Sequence, residues 1–320
     1  VGNRQVHLVI ENDENRAYYL RRGEPSKSRW YDAQWNEDFH HVMHTLASGE
    51  IAGYYVDYRE NTIEHFGKSL TKGFSYMGEW SGYRGRNRGE DSKGLHATAF
   101  VAFLQNHDQV GNRPMGDRIT AIADRCAVRA MTEIFLLSPQ PPLLFMGQEY
   151  AVDKPFPFFC DLSPELGPVV AEGRRRHFEE APYFKELYDL DLMPDPADEE
   201  TFQSAIIDLS QLNEPERREW HALHKRLLNI RRKYIWPRIK GVTVDDAWYK
   251  VIGPKCILAG WRLNDGSGLT LLANLGPDNA PCIEVPDGVT VYTTSDNTLE
   301  EARRGVLPPW SVAWLLKGSE

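Results

Sequence analysis

Three apolar runs in this chain end in clusters of polar, acid-bearing residues. Val9-Ile10 runs into Glu11-Asn12-Asp13, residues 99–104 run into Gln105-Asn106-His107-Asp108-Gln109, and residues 143–146 run into Gly147-Gln148-Glu149. Glu11 and Asp108 are then carboxylates carried by different strands. Cleavage of a glycosidic bond needs such a pair. One carboxyl protonates the leaving oxygen, and another carboxylate stabilises the positive charge that develops on the sugar. A single acid after a strand more often caps the next helix or pairs with a nearby base, here Arg16 or Arg113. Repetition of the pattern favours a shared pocket, because ligands in parallel α/β folds gather at the C-terminal ends of strands.

The elements that must position these residues follow from hydrophobic period. Residues 6–10 read as a buried strand, 30–35 as a second, 99–104 as a third and 143–146 as a fourth. A helix spans Glu37 to about Ser48, with Asn36 as its cap and Gly49 as its stop. A helical piece covers 62–70, and a Gly-rich loop covers 78–94. One helix is expected from about Asp117 to Leu137, with Ile119, Ile122, Cys126, Ala130 and Ile134 on one stripe. Further helices fall near 169–180 and 216–234. From about residue 241 the pattern changes to short β runs, and Asp265-Gly266 marks a tight turn between two of them. Alternating strands and helices followed by short strands predict an α/β fold with a small antiparallel β domain behind it.

Composition removes several classes. The chain has 320 residues, 41% of them hydrophobic and 26% charged, so it is neither disordered nor collagen-like. No run approaches the roughly 18 apolar residues of a membrane span. A net charge of −9 argues against a nucleic-acid partner. The four cysteines show no C-x-x-C spacing, so a zinc site is not expected, and Cys126 reads as a reduced core thiol. His40 and His44 lie one helical turn apart, but no third ligand accompanies them, so helix packing or substrate contact is the better reading. Arg84, Arg86 and Arg88 read as a solvated or substrate-shaping loop, and Arg174-Arg175-Arg176 as a charged face pairing with Glu179 and Glu180. No metal or organic cofactor is called for. The expected compartment is the cytoplasm.

Longer motifs narrow the class. Val9-Ile10-Glu11-Asn12-Asp13, Asp32-Ala33-Gln34-Trp35-Asn36-Glu37-Asp38-Phe39-His40-His41 and Gln105-Asn106-His107-Asp108-Gln109-Val110-Gly111-Asn112-Arg113 resemble the α-amylase superfamily. The Ala-Gln-Trp-Asn run with Gly53-Tyr54-Tyr55 is narrower and resembles its trehalohydrolase branch, as do residues 143–150 and 172–176. The resemblance implies that Glu11 is the general acid/base and Asp108 the carboxylate that stabilises the transition state. It implies that His107 bonds sugar hydroxyls. Glu37, Asp38, Phe39, His40, His41, Gln109, Val110, Gly111 and Asn112 would line the substrate cleft. Tyr83 is a candidate sugar-stacking ring, although a Tyr in a Gly-rich loop is more often simple packing. The implied substrate is maltooligosyl trehalose or a related α-glucan. The implied pathway neighbour is a malto-oligosyltrehalose synthase.

The departure from the family is as informative. Its retaining mechanism uses an aspartate nucleophile on the strand before the acid/base, with an Arg two residues earlier. Only ten residues, opening Val1-Gly2-Asn3, precede Glu11, and none forms that motif. The chain is therefore expected to be strands 5–8 of a partial (β/α)8 barrel over residues 1–240, followed by a C-terminal β domain over 241–320, and to be inactive alone. Alternatives are a glucan branching enzyme or other amylase relative, and a non-catalytic glucan-binding module.

Overall fold

The computed structural model describes residues 4–21 and 30–318. The Val1-Gly2-Asn3 start lies outside the described residues. The chain divides into two compact units, one of Val1–Leu104, Arg125–Leu143 and His224–Glu320, the other of Gln105–Asp124 and Leu144–Leu223.

In the first unit β1 (Val9–Ile10) pairs in parallel with β2 (Ala33–Trp35). Helices α1 (Glu37–Ser48) and α2 (Thr62–Thr71) follow, then a small hairpin of β3 (Trp80–Ser81) and β4 (Arg86–Asn87). Strand β5 (Phe100–Val101) completes a three-stranded parallel sheet in the order β1-β2-β5. Helices α3 (His107–Gly111) and α4 (Ile119–Ile122) belong to the second unit, and α5 (Arg125–Leu137) to the first. The second unit continues with α6 (Gly167–Glu179), α7 (Pro182–Leu187) and α8 (Glu199–Ala205). Helix α9 (Pro215–Ile230) begins there and ends in the first unit, where a π turn, Arg231–Ile235, extends it.

Local chemistry explains α1. The Asn36 side chain accepts the Phe39 N–H at 3.1 Å, and Gly49, at φ 75°, returns its N–H to the Thr45 carbonyl at 3.0 Å. Both ends of the helix are thus satisfied as the sequence predicts. Asn36 also donates to the Gln140 side chain at 3.1 Å, which ties the start of α1 to the segment before Pro141.

The remaining strands are β6 (Ala247–Gly253), β7 (Cys256–Arg262), β8 (Gly268–Asn274), β9 (Ala280–Pro281) and β10 (Val289–Thr293). Helix α10 (Thr298–Arg303), β11 (Val306–Leu307) and β12 (Ser311–Lys317) close the chain. Five of these strands form an antiparallel sheet in the order β10-β12-β8-β7-β6. Asp265-Gly266 turns β7 into β8, with Gly266 at φ 82°. Leu258, Leu272, Ala313 and Leu315 pack with Leu299 and Leu307 in its core. Cys256 and Cys282 are buried there, and burial, then Cys282, pushes the Cys256 thiol up to about 11. The sheet is tied to α5 through Tyr292, whose hydroxyl donates to the buried Glu133 at 2.6 Å. Arg231, in the π turn, donates to the carbonyls of Leu136 at 3.1 Å and Gln140 at 2.8 Å, satisfying the end of α5. Burial lowers the Arg231 pKa to about 10.

Five expectations change. Val6, Leu8 and Val9 are exposed rather than buried, because β1 is short and lies at the edge of its sheet. The fourth strand shrinks to one parallel bridge between Ala102 and Pro142, since the paired prolines Pro141-Pro142 bring no N–H to extend a ladder. The single helix over 117–137 is two, broken at Ala123, which is extended at φ −118° and ψ 156°. Its halves belong to different units: Thr120 bonds the Val152 carbonyl at 2.9 Å, while α5 buries Ala127, Ala130, Met131 and Ile134. The break changes the phase of the stripe and leaves Cys126 exposed rather than in the core. Arg174 donates to the Gly111 carbonyl at 3.0 Å and stands over the rings of Phe158 and Phe178, and Arg175 pairs with Asp191 at 3.1 Å. Arg176 pairs with Glu172 at 3.5 Å, the favourable order of acid before base along a helix. Among the described residues no helix is long and apolar enough to cross a membrane.

Candidate active site

Glu11 follows β1 directly and is exposed. Among the described residues it makes no hydrogen bond or ion pair. Its acidic neighbours are treated differently. Arg84 reaches Asp13 at 2.6 Å and Glu14 at 3.2 Å, and Arg86 also pairs with Glu14. Arg88 donates from Nε to the Asp13 carbonyl at 2.7 Å. The β3–β4 hairpin therefore clamps the loop behind Glu11 and leaves that carboxyl uncommitted.

Asp38 is the anchor beneath this clamp. It is wholly buried, with its Oδ1 2.7 Å from Arg88 Nη1. Tyr58 donates to Oδ1 at 2.6 Å, while Asn15 at 2.8 Å and the Ser75 N–H at 2.6 Å donate to Oδ2. Burial opposes its ionisation, but the Arg88 guanidinium, the Tyr58 hydroxyl and the Ser75 and Tyr76 N–H groups overcome that and hold its pKa below the usual value. Gly89 makes the approach possible. At φ +88° its Cβ position would lie 1.9 Å from the Tyr76 carbonyl oxygen, so only glycine lets Arg88 come in so close.

The other residues of the α1 motif are buried too. His40 Nδ1 lies 2.7 Å from the Leu104 carbonyl and Nε2 lies 3.1 Å from the Tyr55 hydroxyl, so the neutral ring donates to one and accepts from the other. Burial, then His44, depresses its pKa to about 3. His41 is held well below its usual range, mainly by burial, and sits 4.0 Å from Glu37 and 3.3 Å from the Tyr58 hydroxyl. His44 meets Glu50 at 2.5 Å. Among the described residues no group of His, Cys, Asp and Glu could hold a metal ion. Asp38, Phe39 and His40 have no exposed surface, so direct substrate contact by them is corrected to a supporting role. Glu37 and His41 are nearly as buried. Tyr83 is 53% exposed, edge-on to Tyr54 at 6.3 Å, with its N–H on Asp57 at 2.8 Å.

The second unit carries the other cluster. Asn106 caps α3: its Oδ1 accepts the Asp108 N–H at 2.8 Å, and Gln109 Oε1 accepts the Asn106 N–H at 3.2 Å. This reciprocal box fixes the first turn that carries Asp108. It also commits the Gln109 carbonyl to the cap. The side chains of His107 and Asp108 are 59% and 38% exposed, with Nε2 and Oδ1 3.5 Å apart. Val110 and Gly111 are buried and Asn112 is exposed. Gln105 Nε2, Asn106 Nδ2 and Gln148 Nε2 are buried donors without a hydrogen-bond partner among the described residues. Such groups usually have one, so this unit holds buried donors left unused. Arg113 donates to the Tyr188 hydroxyl at 2.8 Å, and that hydroxyl donates to Asp117 at 2.6 Å. Burial, then the bond to Asp117, pushes Tyr188 up to about 12.

Sequence reasoning missed Arg88 and Tyr58 as partners of Asp38. The signal was the cluster Arg84-x-Arg86-x-Arg88, three cations within five residues that could meet the acidic Asp13-Glu14 run.

Residues 245–314 match a domain of unknown function, DUF3459. The malto-oligosyltrehalose trehalohydrolase of Rhizobium sp. (strain M-11) is 31% identical over 98% of this chain and 51% of its own length. That of Saccharolobus solfataricus is 34% identical over 71% of this chain and 37% of its own. A crystal structure from Salmonella typhimurium, provisionally described as an alpha amylase, superposes with a TM-score of 0.88 at 33% identity, covering 99% of this chain and 52% of that one. The chain thus spans about half the length, or less, of the relatives it matches. Over that span the chain is similar to malto-oligosyltrehalose trehalohydrolases and to a solved structure described as an alpha amylase.

Proposed function

We propose that this chain supplies the acid/base half of a retaining α-glycosidase that cleaves the α-1,4 bond next to the trehalose end of a maltooligosyl trehalose. Residues 1–240 would be strands 5–8 of the barrel with their helices, and 241–320 the β domain. Glu11 protonates the leaving oxygen and then activates the water that releases the sugar. Asp108 stabilises the oxocarbenium-like centre, and His107 bonds a sugar hydroxyl beside it. The covalent step needs a carboxylate nucleophile, a role given to none of the residues above, so the 320-residue chain alone is proposed to be inactive. A synthase that makes the maltooligosyl trehalose would work upstream.

The observation that carries this reading is the contrast between Glu11 and its neighbours. Asp13 and Glu14 are taken up by Arg84 and Arg86, while Glu11 stays exposed and uncommitted at the end of a strand. The test is chromatographic assay of trehalose released from maltooligosyl trehalose. The chain alone should release none. A chimera in which this chain replaces the matching segment of the Rhizobium sp. relative should release it. Release by the chain alone, or a folded chimera that forms new α-1,6 branches instead, overturns the proposal.

A further inference from the structure

A cavity of about 580 Å³ in the first unit is bounded by the C-terminal turns of α1, the first turn of α2 and the β6–β7 hairpin. That volume falls within the roughly 300–1,000 Å³ of small-molecule sites. None of its lining residues is among the candidate catalytic or substrate-binding residues above.

Two independent features mark it as built to receive a polar ligand. Thr45 lines it, is more than nine-tenths buried, and its hydroxyl has no hydrogen-bond partner among the described residues. A helical threonine ordinarily bonds a carbonyl one turn back, and a buried hydroxyl left alone costs stability. Helix α2 opens at Asn61, whose side chain makes no cap bond, so the N–H groups of Thr62 and Ile63 remain as donors on the same wall.

The charges say what kind of ligand fits. Arg59 and Lys255 line the cavity, but so does Glu64, and Arg59 is paired with Glu60 at 3.4 Å. The two lining cations are offset by Glu64 on the wall and by Glu60, which lies outside the lining and pairs with Arg59. A phosphate would face Glu64, and a bare cation would face Lys255. A neutral molecule with many hydroxyls, each both donor and acceptor, satisfies the whole wall. No aromatic ring lines the cavity, so such a molecule would be held by hydrogen bonds at its edges rather than by stacking.

We propose that this cavity is a second site for a neutral saccharide of two or three rings, separate from the catalytic carboxylates. The proposal rests on the glucan reading above for the choice of sugar. The experiment titrates the purified 320-residue chain with trehalose, maltotriose, sorbitol and inorganic phosphate, using calorimetry and saturation-transfer NMR. Thr45→Val, which keeps the shape and removes the hydroxyl, is run beside Lys255→Ala. One or both sugars should bind saturably, and sorbitol and phosphate should not. Thr45→Val should weaken sugar binding roughly 3- to 10-fold, the net worth of one hydrogen bond, while the sugar-free protein melts at the same temperature or higher. A merely structural threonine would not separate these two readouts. Sugar affinity unchanged in both variants, phosphate binding in place of sugar, or no binding of any probe overturns the proposal. Trehalose release by the chimera is scored separately, so failure here and failure of the catalytic reading are distinguishable.

Discussion

Arg88 Nη1 and Asp38 Oδ1 lie 2.7 Å apart, and both side chains are buried. The pair joins the β3–β4 hairpin to the first turn of α1. Through the Arg88 bond to the Asp13 carbonyl, the same guanidinium holds the loop that follows Glu11. Removing one partner leaves the other as an uncompensated buried charge, which typically costs about 3–5 kcal/mol. Urea unfolding of Arg88→Met and Asp38→Asn should show losses of that order. Arg88→Lys should not restore stability, because one ammonium cannot reproduce the fork to Asp38, Tyr58 and the Asp13 carbonyl.

Gly89 is the hinge that lets Arg88 in. Gly89→Ala places a methyl group against the Tyr76 carbonyl at a left-handed φ. The hairpin must move, so the stability loss should approach that of Arg88→Met, and a double variant should lose little more than either alone. Additive losses would show that the glycine and the arginine act separately.

His40 makes the fold acid-sensitive above the carboxylate range. Its pKa falls from 6.5 to about 3 on folding. The unfolded chain therefore binds the extra proton first as pH drops, and stability is lost progressively from about pH 6.5 toward pH 3. At pH 5 this one ring should cost about 2 kcal/mol relative to pH 7. His41, depressed in the same direction, adds to the effect. Asp38 acts in the same direction but lower: its folded pKa lies below 3.8, so its contribution is lost only as pH falls past that value. Thermal melts from pH 7 to pH 5 should show the drop, and His40→Gln should flatten it.

Glu11 and Asp108 are partly or fully exposed, so changing them should spare the fold and strike the chemistry. In the chimera, Glu11→Gln and Asp108→Asn should each lower trehalose release by roughly 10²–10⁴-fold, with unfolding midpoints unchanged. A variant that lost stability instead would point to a structural carboxylate.

Features set by short-range chemistry could be read from the order of residues alone. The Asn36 cap and the Gly49 stop of α1, the α2 helix, the Asp265-Gly266 turn and the antiparallel tail all depend on residues within a few positions of one another. The position of Glu11 and Asp108 in polar clusters after apolar runs was legible for the same reason, but the short helix His107–Gly111 that carries Asp108 was not. That Asp38, Phe39 and His40 face inward depends on contacts between distant segments. Their partners are Arg88, Tyr58, Ser75 and Leu104, brought together by chain closure rather than by spacing. The break at Ala123 and the exposure of Cys126 were invisible as well. A helical stripe records that residues are buried, but not against which unit, and two units claim the two halves of this one.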